Sequence, residues 1–148
     1  AEALGAIGCP EIVDILKKYS RDPVIEVAET CELALERIKW LQNPDNIKLL
    51  SSPYNSVDPA PAADLQNIDQ LKSVLINDEQ SLFERYRAMF ALRNIHSREA
   101  VEALGSALKY GSALFKHEVA FVLGQLQSKY AAPFLIASLK DESENEMV

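Results

Sequence analysis

Four short segments echo one another along these 148 residues: Leu4-Gly5-Ala6-Ile7, Leu35-Glu36-Arg37-Ile38, Leu92-Arg93-Asn94-Ile95 and Leu123-Gly124-Gln125-Leu126. Leu4 and Leu35 stand 31 residues apart, and so do Leu92 and Leu123. A self-similar period of this length belongs to stacked supersecondary units, each too small to bury its apolar face alone. Twelve residues past the first Leu of three copies come Leu16, Leu104 and Leu135; sixteen past it come Ser20, Leu108 and Leu139. Between these two sets lie the turn candidates Gly8-Cys9-Pro10, His96-Ser97-Arg98 and Gln127-Ser128-Lys129.

Each unit therefore reads as two antiparallel helices of about three turns, the first carrying Ala and Leu at i, i+3, i+4 spacing. In the second helix Ile12, Ile15 and Leu16 share one face, as do Val101, Leu104 and Leu108, with Lys17, Lys18, Glu102 and Lys109 outside. Pro10 suits an early helical position, where its missing N–H costs nothing. Asp22-Pro23 and Tyr110-Gly111-Ser112 close units with turn chemistry. The scarcity of Gly and of aromatic residues favours helix over sheet. The expected fold is all-α, a HEAT-like α-solenoid of antiparallel helix pairs.

The count fails once. Leu35 and Leu92 are 57 residues apart, and the excess lies where Asn43-Pro44, Ser51-Ser52-Pro53 and Asp58-Pro59-Ala60-Pro61 exclude helix interior. The expected organisation is 1–42 as the end of an N-terminal half, 43–64 as an inter-half linker and 65–148 as the start of a C-terminal half. Helix resumes over 65–75, with Ile68, Leu71, Lys72 and Leu75 in register. Ser81 with Glu84 forms a capping box for a helix over 82–94. Both ends break off in mid-pattern without polar capping repeats. The expectation is a central fragment of a longer protein, whose uncapped apolar ends favour association.

The formal net charge of −7 argues against nucleic acid as a partner, because phosphate contacts need clustered Lys and Arg. No apolar run reaches the roughly 18 residues of a membrane span, and no leader is visible. Cys9 and Cys31 are read as reduced, buried small hydrophobes of a cytoplasmic protein. Catalysis by a serine nucleophile has no Gly-x-Ser-x-Gly elbow, and no glycine-rich phosphate loop exists.

His117-Glu118 is a potential pair of metal ligands on a helix otherwise built for packing. It lies six and five residues before Leu123; the same offsets give Glu29-Thr30 before Leu35 and Tyr86-Arg87 before Leu92. Adjacent helical residues point about 100° apart, so both side chains reach one cleft only from a helix edge. Taken by itself the dipeptide reads as a surface or satisfied histidine beside a solvated carboxylate. His96 reads as a turn residue, and Glu26, Glu29, Glu32 and Glu36 as a solvated helix face.

The chain resembles the deoxyhypusine hydroxylase family over essentially its whole length. The resemblance rests on Glu2-Ala3-Leu4-Gly5-Ala6-Ile7-Gly8, on Asp22-Pro23-Val24-Ile25-Glu26-Val27-Ala28-Glu29-Thr30-Cys31 and on Ser56-Val57-Asp58-Pro59-Ala60-Pro61. It continues through Leu82-Phe83-Glu84-Arg85-Tyr86-Arg87-Ala88-Met89-Phe90-Ala91-Leu92-Arg93, Phe115-Lys116-His117-Glu118 and Val122-Leu123-Gly124-Gln125. It implies a di-iron HEAT-repeat monooxygenase that hydroxylates the deoxyhypusine side chain of a translation factor, its protein substrate. In that family four His-Glu dipeptides hold two irons. His117 and Glu118 are then expected as iron ligands, Glu118 also facing the substrate amine, and Met147 beside the pocket. The family's neighbouring dipeptides would fall before Ala1 and after Val148. One dipeptide offers at most two of the five or six positions that iron with nitrogen and oxygen ligands fills. The 148 residues alone are therefore expected to bind iron poorly and not to turn over. The alternative is a HEAT-like protein-binding scaffold without catalysis.

Overall fold

The computed structural model describes residues 1–49 and 52–148, without side chains at 47–49. Leu50 and Ser51, part of the expected 43–64 linker, lie outside the described residues. Every regular element among the described residues is a helix: α1 (Glu2–Ile7), α2 (Val13–Tyr19), α3 (Ile25–Leu41), α4 (Ile68–Leu75), α5 (Leu82–Ile95), α6 (Arg98–Ala107), α7 (Ala113–Leu126) and α8 (Ala132–Leu139), with 3₁₀ turns at Pro10–Ile12 and Pro44–Leu49. They form two compact units, Ala1–Ala62 and Ala63–Val148.

The repeat is written into the helix ends. Gly8, His96 and Gln127, each four residues past the marker Leu, close α1, α5 and α7 in the left-handed conformation, with φ of 71°, 55° and 48°. That geometry stops a helix and turns the chain back on itself. The partner helices then begin on side-chain caps where the sequence supplies them. Ser97 accepts from the Ala100 N–H, and at the starts of the first helices Ser81 and Ser112 accept from Glu84 and Phe115. Each such cap contributes about 1 kcal/mol. After Leu35 no stop signal of this kind occurs, and α3 runs on to Leu41. Helix α4 starts at Ile68, three residues later than the hydrophobic pattern alone suggested, because Asn67 caps it through the Gln70 N–H.

In the first unit α1 and α2 pack on α3 around Leu16, Cys31, Ala34 and Ile38. Gly5 makes the α1–α3 approach feasible, since a Cβ there would stand 2.8 Å from the Ala34 Cβ. Buried Arg37 donates to the carbonyls of Gly5 and Asp58, at 3.0 and 3.2 Å, and so ties α3 to α1 and to the proline-rich stretch. Two expectations need correction here. Ile15 does not share the buried face with Leu16 and is 51% exposed. Cys9 is only half-buried, its thiol donating to the Glu11 carboxylate, whereas Cys31 is buried and both are free thiols.

In the second unit α4, α6 and α7 pack against α5, and α7 and α8 pack on α6. Tyr86, Phe90 and Phe115 form an aromatic cluster with ring centroids 6.0 to 6.2 Å apart. The Arg85 guanidinium lies 4.0 Å from the centre of the Phe115 ring, and fully buried Arg93 stacks on Phe90. Val101, Leu104 and Leu108 are buried together as the spacing predicts. Their counterpart Leu139 in α8 is 89% exposed. Phe134 instead anchors α8, lying so close to Gly105 that any Cβ there would overlap its ring, 2.4 Å away.

Candidate metal centre

The rotation of α7 is fixed by what it buries: Phe115, Val119, Val122, Leu123 and Leu126. Two residues on from Phe115, His117 is turned about 200° around the axis and points away from this core. Glu118 and Lys116 fall on the two flanks. The structure agrees: His117 is exposed while Glu118 and Lys116 are partly buried. His117 therefore leads from the open face and Glu118 from its edge. Phe121 and Gly124 share the open face; Phe121 is 56% exposed, and no atom lies within 4 Å of where a Gly124 Cβ would be.

The chain returns to this face after α8. The His117 Nδ1 lies 2.7 Å from the Met147 carbonyl oxygen. A carbonyl only accepts, so Nδ1 carries the proton, and in the neutral ring Nε2 keeps its lone pair for a ligand. One residue earlier on α7, the Lys116 ammonium grips both oxygens of Glu144 at 2.6 and 2.7 Å. Both side chains are largely shielded, 19% and 14% exposed. The hydrogen bond from Lys116, reinforced by the Asn145 N–H, holds the Glu144 carboxyl below the usual carboxylate range. The Met147 N–H in turn donates to Asn145 Oδ1 at 2.9 Å.

Met147 had been expected beside the pocket. It lies next to His117, in contact through its main chain, with 37% of the residue exposed. Lys116 and Glu144 were not singled out from the sequence. They are 28 residues apart, and no helical or strand period links them. The only hint was the Lys directly before the dipeptide. Residues 144–148 form bends and turns. His96 caps α5 and is exposed, as a turn residue should be. Glu26 and Glu29 are half-buried, and Glu32 and Glu36 exposed, along α3. A cavity of about 370 Å³ lies between α6, α8 and the returning strand of chain, and Lys116 and Glu144 line it. His117 and Glu118 do not.

An imidazole nitrogen and a carboxylate are donors that iron accepts well. Among the described residues, however, no group of three or more His, Cys, Asp or Glu side chains converges on one metal position. The donor chemistry of His117 and Glu118 thus fits part of an iron site.

A family model described as HEAT repeats matches residues 68–147, more than half of the chain, and a second, described as PBS lyase HEAT-like repeat, matches residues 1–22. The chain belongs to the HEAT-repeat family. Among HEAT-repeat proteins it is similar to deoxyhypusine hydroxylase of Gallus gallus, 54% identical over 147 residues, covering 99% of this chain and 49% of the relative. Deoxyhypusine hydroxylase of Drosophila melanogaster is 54% identical over 149 residues, covering 100% of this chain and 49% of the relative. A solved structure of human deoxyhypusine hydroxylase in complex with glycerol superposes with a TM-score of 0.94 at 56% identity, over 99% of this chain and 51% of that one. The chain spans about half the length of the curated relatives it matches. Among the described residues no helix is long and apolar enough to cross a membrane.

Proposed function

We propose that the protein carrying this HEAT-repeat chain is a deoxyhypusine monooxygenase, an iron-dependent oxidoreductase that hydroxylates the deoxyhypusine side chain of a translation factor. One observation carries the reading: in a chain 54% identical along its length to deoxyhypusine hydroxylases, the single His-Glu dipeptide stands on an open helix face. Its imidazole is already held by Nδ1, as a metal-binding histidine usually is. The linker and halves read from the sequence (1–42, 43–64 and 65–148) belong to the same proposal, and so does a cytoplasmic place of work beside the translation machinery.

Iron, when bound, would supply the activation of dioxygen. His117 would donate Nε2 to it and Glu118 a carboxylate oxygen. Glu118 has a second task that follows from charge alone. The deoxyhypusine side chain is an aliphatic polyamine, cationic at neutral pH, and a half-buried carboxylate at the edge of the face attracts an ammonium more strongly than a fully solvated one. Met147, partly exposed next to His117, offers an apolar, adaptable surface to the methylenes between the amines. The acidic balance of the chain, −7, suits a basic loop on the protein substrate. The 148 residues offer iron one dipeptide, at most two donors, so alone they would hold it weakly and not turn over.

The test is iron analysis and an absorbance spectrum of the full-length protein, with hydroxylation of a deoxyhypusine-bearing substrate protein. Tight iron and product, both lost in His117→Ala, support the reading. A folded full-length protein that binds neither iron nor the deoxyhypusine side chain would return the chain to the class of HEAT-like scaffolds.

A further inference from the structure

We infer that the Lys116–Glu144 ion pair is a positioning device: it seats the Met147 carbonyl on the His117 Nδ1 and so presents Nε2, bare of a proton, to a ligand. The inference rests on the reading of His117 as an iron ligand only for the identity of that ligand. The geometry stands apart from it. His117 leaves α7 on the side opposite the helix core and is exposed, and its ring is held by the Met147 carbonyl. What fixes it comes from 30 residues away, at the end of a stretch of turns with little buried apolar surface of its own. Such a stretch docks only if something holds it.

Lys116 does so from the residue next to His117. Its ammonium takes both Glu144 oxygens within 2.7 Å, and the Glu144 Oε1 also accepts the Asn145 N–H at 2.9 Å. The Asn145 side chain then accepts the Met147 N–H at 2.9 Å, which sets the direction of the peptide just before the carbonyl that His117 uses. An unbroken path of four residues runs from the shielded ion pair to the imidazole. A free histidine favours the proton on Nε2, the wrong nitrogen for a ligand approaching from the open side. The carbonyl reverses that preference. Partners of this kind, one bond removed from a metal, typically change its affinity by about 10- to 100-fold.

The experiment is a long-range proton–nitrogen correlation spectrum of the full-length protein, labelled with nitrogen-15, freed of metal and held alkaline enough for neutral imidazoles. The His117 signals are assigned by their loss in His117→Asn. The expected wild-type spectrum has His117 protonated at Nδ1. In Glu144→Gln and in Lys116→Met the proton moves to Nε2, whereas Lys116→Arg, which keeps a cation on the Glu144 carboxylate, leaves it at Nδ1. Glu144→Gln and Lys116→Met should lower ferrous iron affinity by about 10- to 100-fold, and Lys116→Arg should keep most of it. A wild-type His117 protonated at Nε2 overturns the inference, and so does a Glu144→Gln protein that keeps the wild-type tautomer. If the tautomers behave as expected while the wild type ignores iron, the positioning device stands and the iron reading falls.

Discussion

Thirty-one residues before His117, Glu118, Phe121 and Gly124 in α7 stand Tyr86, Arg87, Phe90 and Arg93 in α5. The two helices have the same length of 14 residues, the same serine cap and the same left-handed stop. Yet Tyr86, Phe90 and Arg93 are all at most 1% exposed, whereas His117, Phe121 and Gly124 are exposed. The cause is the neighbour. Helix α7 supplies the Phe115 ring to Tyr86 and the Gln125 amide oxygen to Arg93, at 3.1 Å, so the stripe on α5 is closed by the next helix of the repeat. On α7 the His117 ring of the equivalent stripe is met by the Met147 carbonyl of the returning turn. Arg87, in the place of Glu118, is spent on Glu84 at 3.0 Å, and its carbonyl takes the Ala63 N–H. One repeat position is thus buried by packing in α5 and exposed in α7.

Exchanging the dipeptides is the strongest way to break this comparison. Tyr86→His with Arg87→Glu removes a buried ring from an aromatic cluster and puts a polar ring in its place. It should lower stability by about 3–5 kcal/mol, as large aromatic truncations do, and bring no iron affinity, since no open face is created. Urea unfolding, with the midpoint and slope both fitted, measures it. A variant as stable as the wild type would mean that the α5 stripe is not closed in solution.

Gly105→Ala comes next and tests the other contact of the second unit. The added methyl meets the Phe134 ring well inside contact distance, so either α8 shifts or Phe134 leaves its site. A loss of about 1–3 kcal/mol is expected, with faster amide exchange confined to α8. Because α8 buries none of its residues fully, it has little else to hold it. Unchanged exchange in α8 would show that Phe134 is not its anchor.

How far the sequence carried these features follows from which of them are periodic. The helix pairs were legible because Leu4, Leu92 and Leu123 recur with a stop four residues later, and a local stop is a local signal. The same logic misplaced Ile15, whose spacing is right but which is half exposed in the structure. His117-Glu118 stood out by its residue types and by the family resemblance. Its exposure could be deduced from Phe115 and Val119 only once these were known to point inward. For Lys116–Glu144 the Lys before the dipeptide was the hint, and nothing pointed to Glu144, because an ion pair between a helix and a distant turn has no spacing rule.

The reverse exchange, His117→Tyr with Glu118→Arg, should cost far less. Both residues lie on the open face or its edge, and surface changes usually stay within about 0.5 kcal/mol, to which only the loss of the Met147 contact is added. Iron binding by the full-length protein should disappear in the same variant. A stability loss comparable to that of the α5 exchange would show that the two stripes are closed alike.

The smallest effect expected is local and set by pH. The Lys116 hydrogen bond and the Asn145 N–H lower the Glu144 pKa in the folded protein below its ordinary 4.5. A depressed carboxyl contributes stability that is fully present above its unfolded value and is lost as the pH falls through the folded one. Docking of the Met147 turn should therefore be unchanged from neutral pH down to the ordinary carboxylate range and weaken only below it. Asp141, lowered by the Ser143 hydroxyl and N–H, adds to the loss in the same direction. Release should thus follow the lowered carboxyls, and the chemical shifts of Asn145 and Met147 amides on acid titration would read it out. In Glu144→Gln the turn should be loose already at neutral pH and show only the Asp141 response. A transition centred in the imidazole range would mean that His117, not the Lys116–Glu144 pair, holds the turn in place.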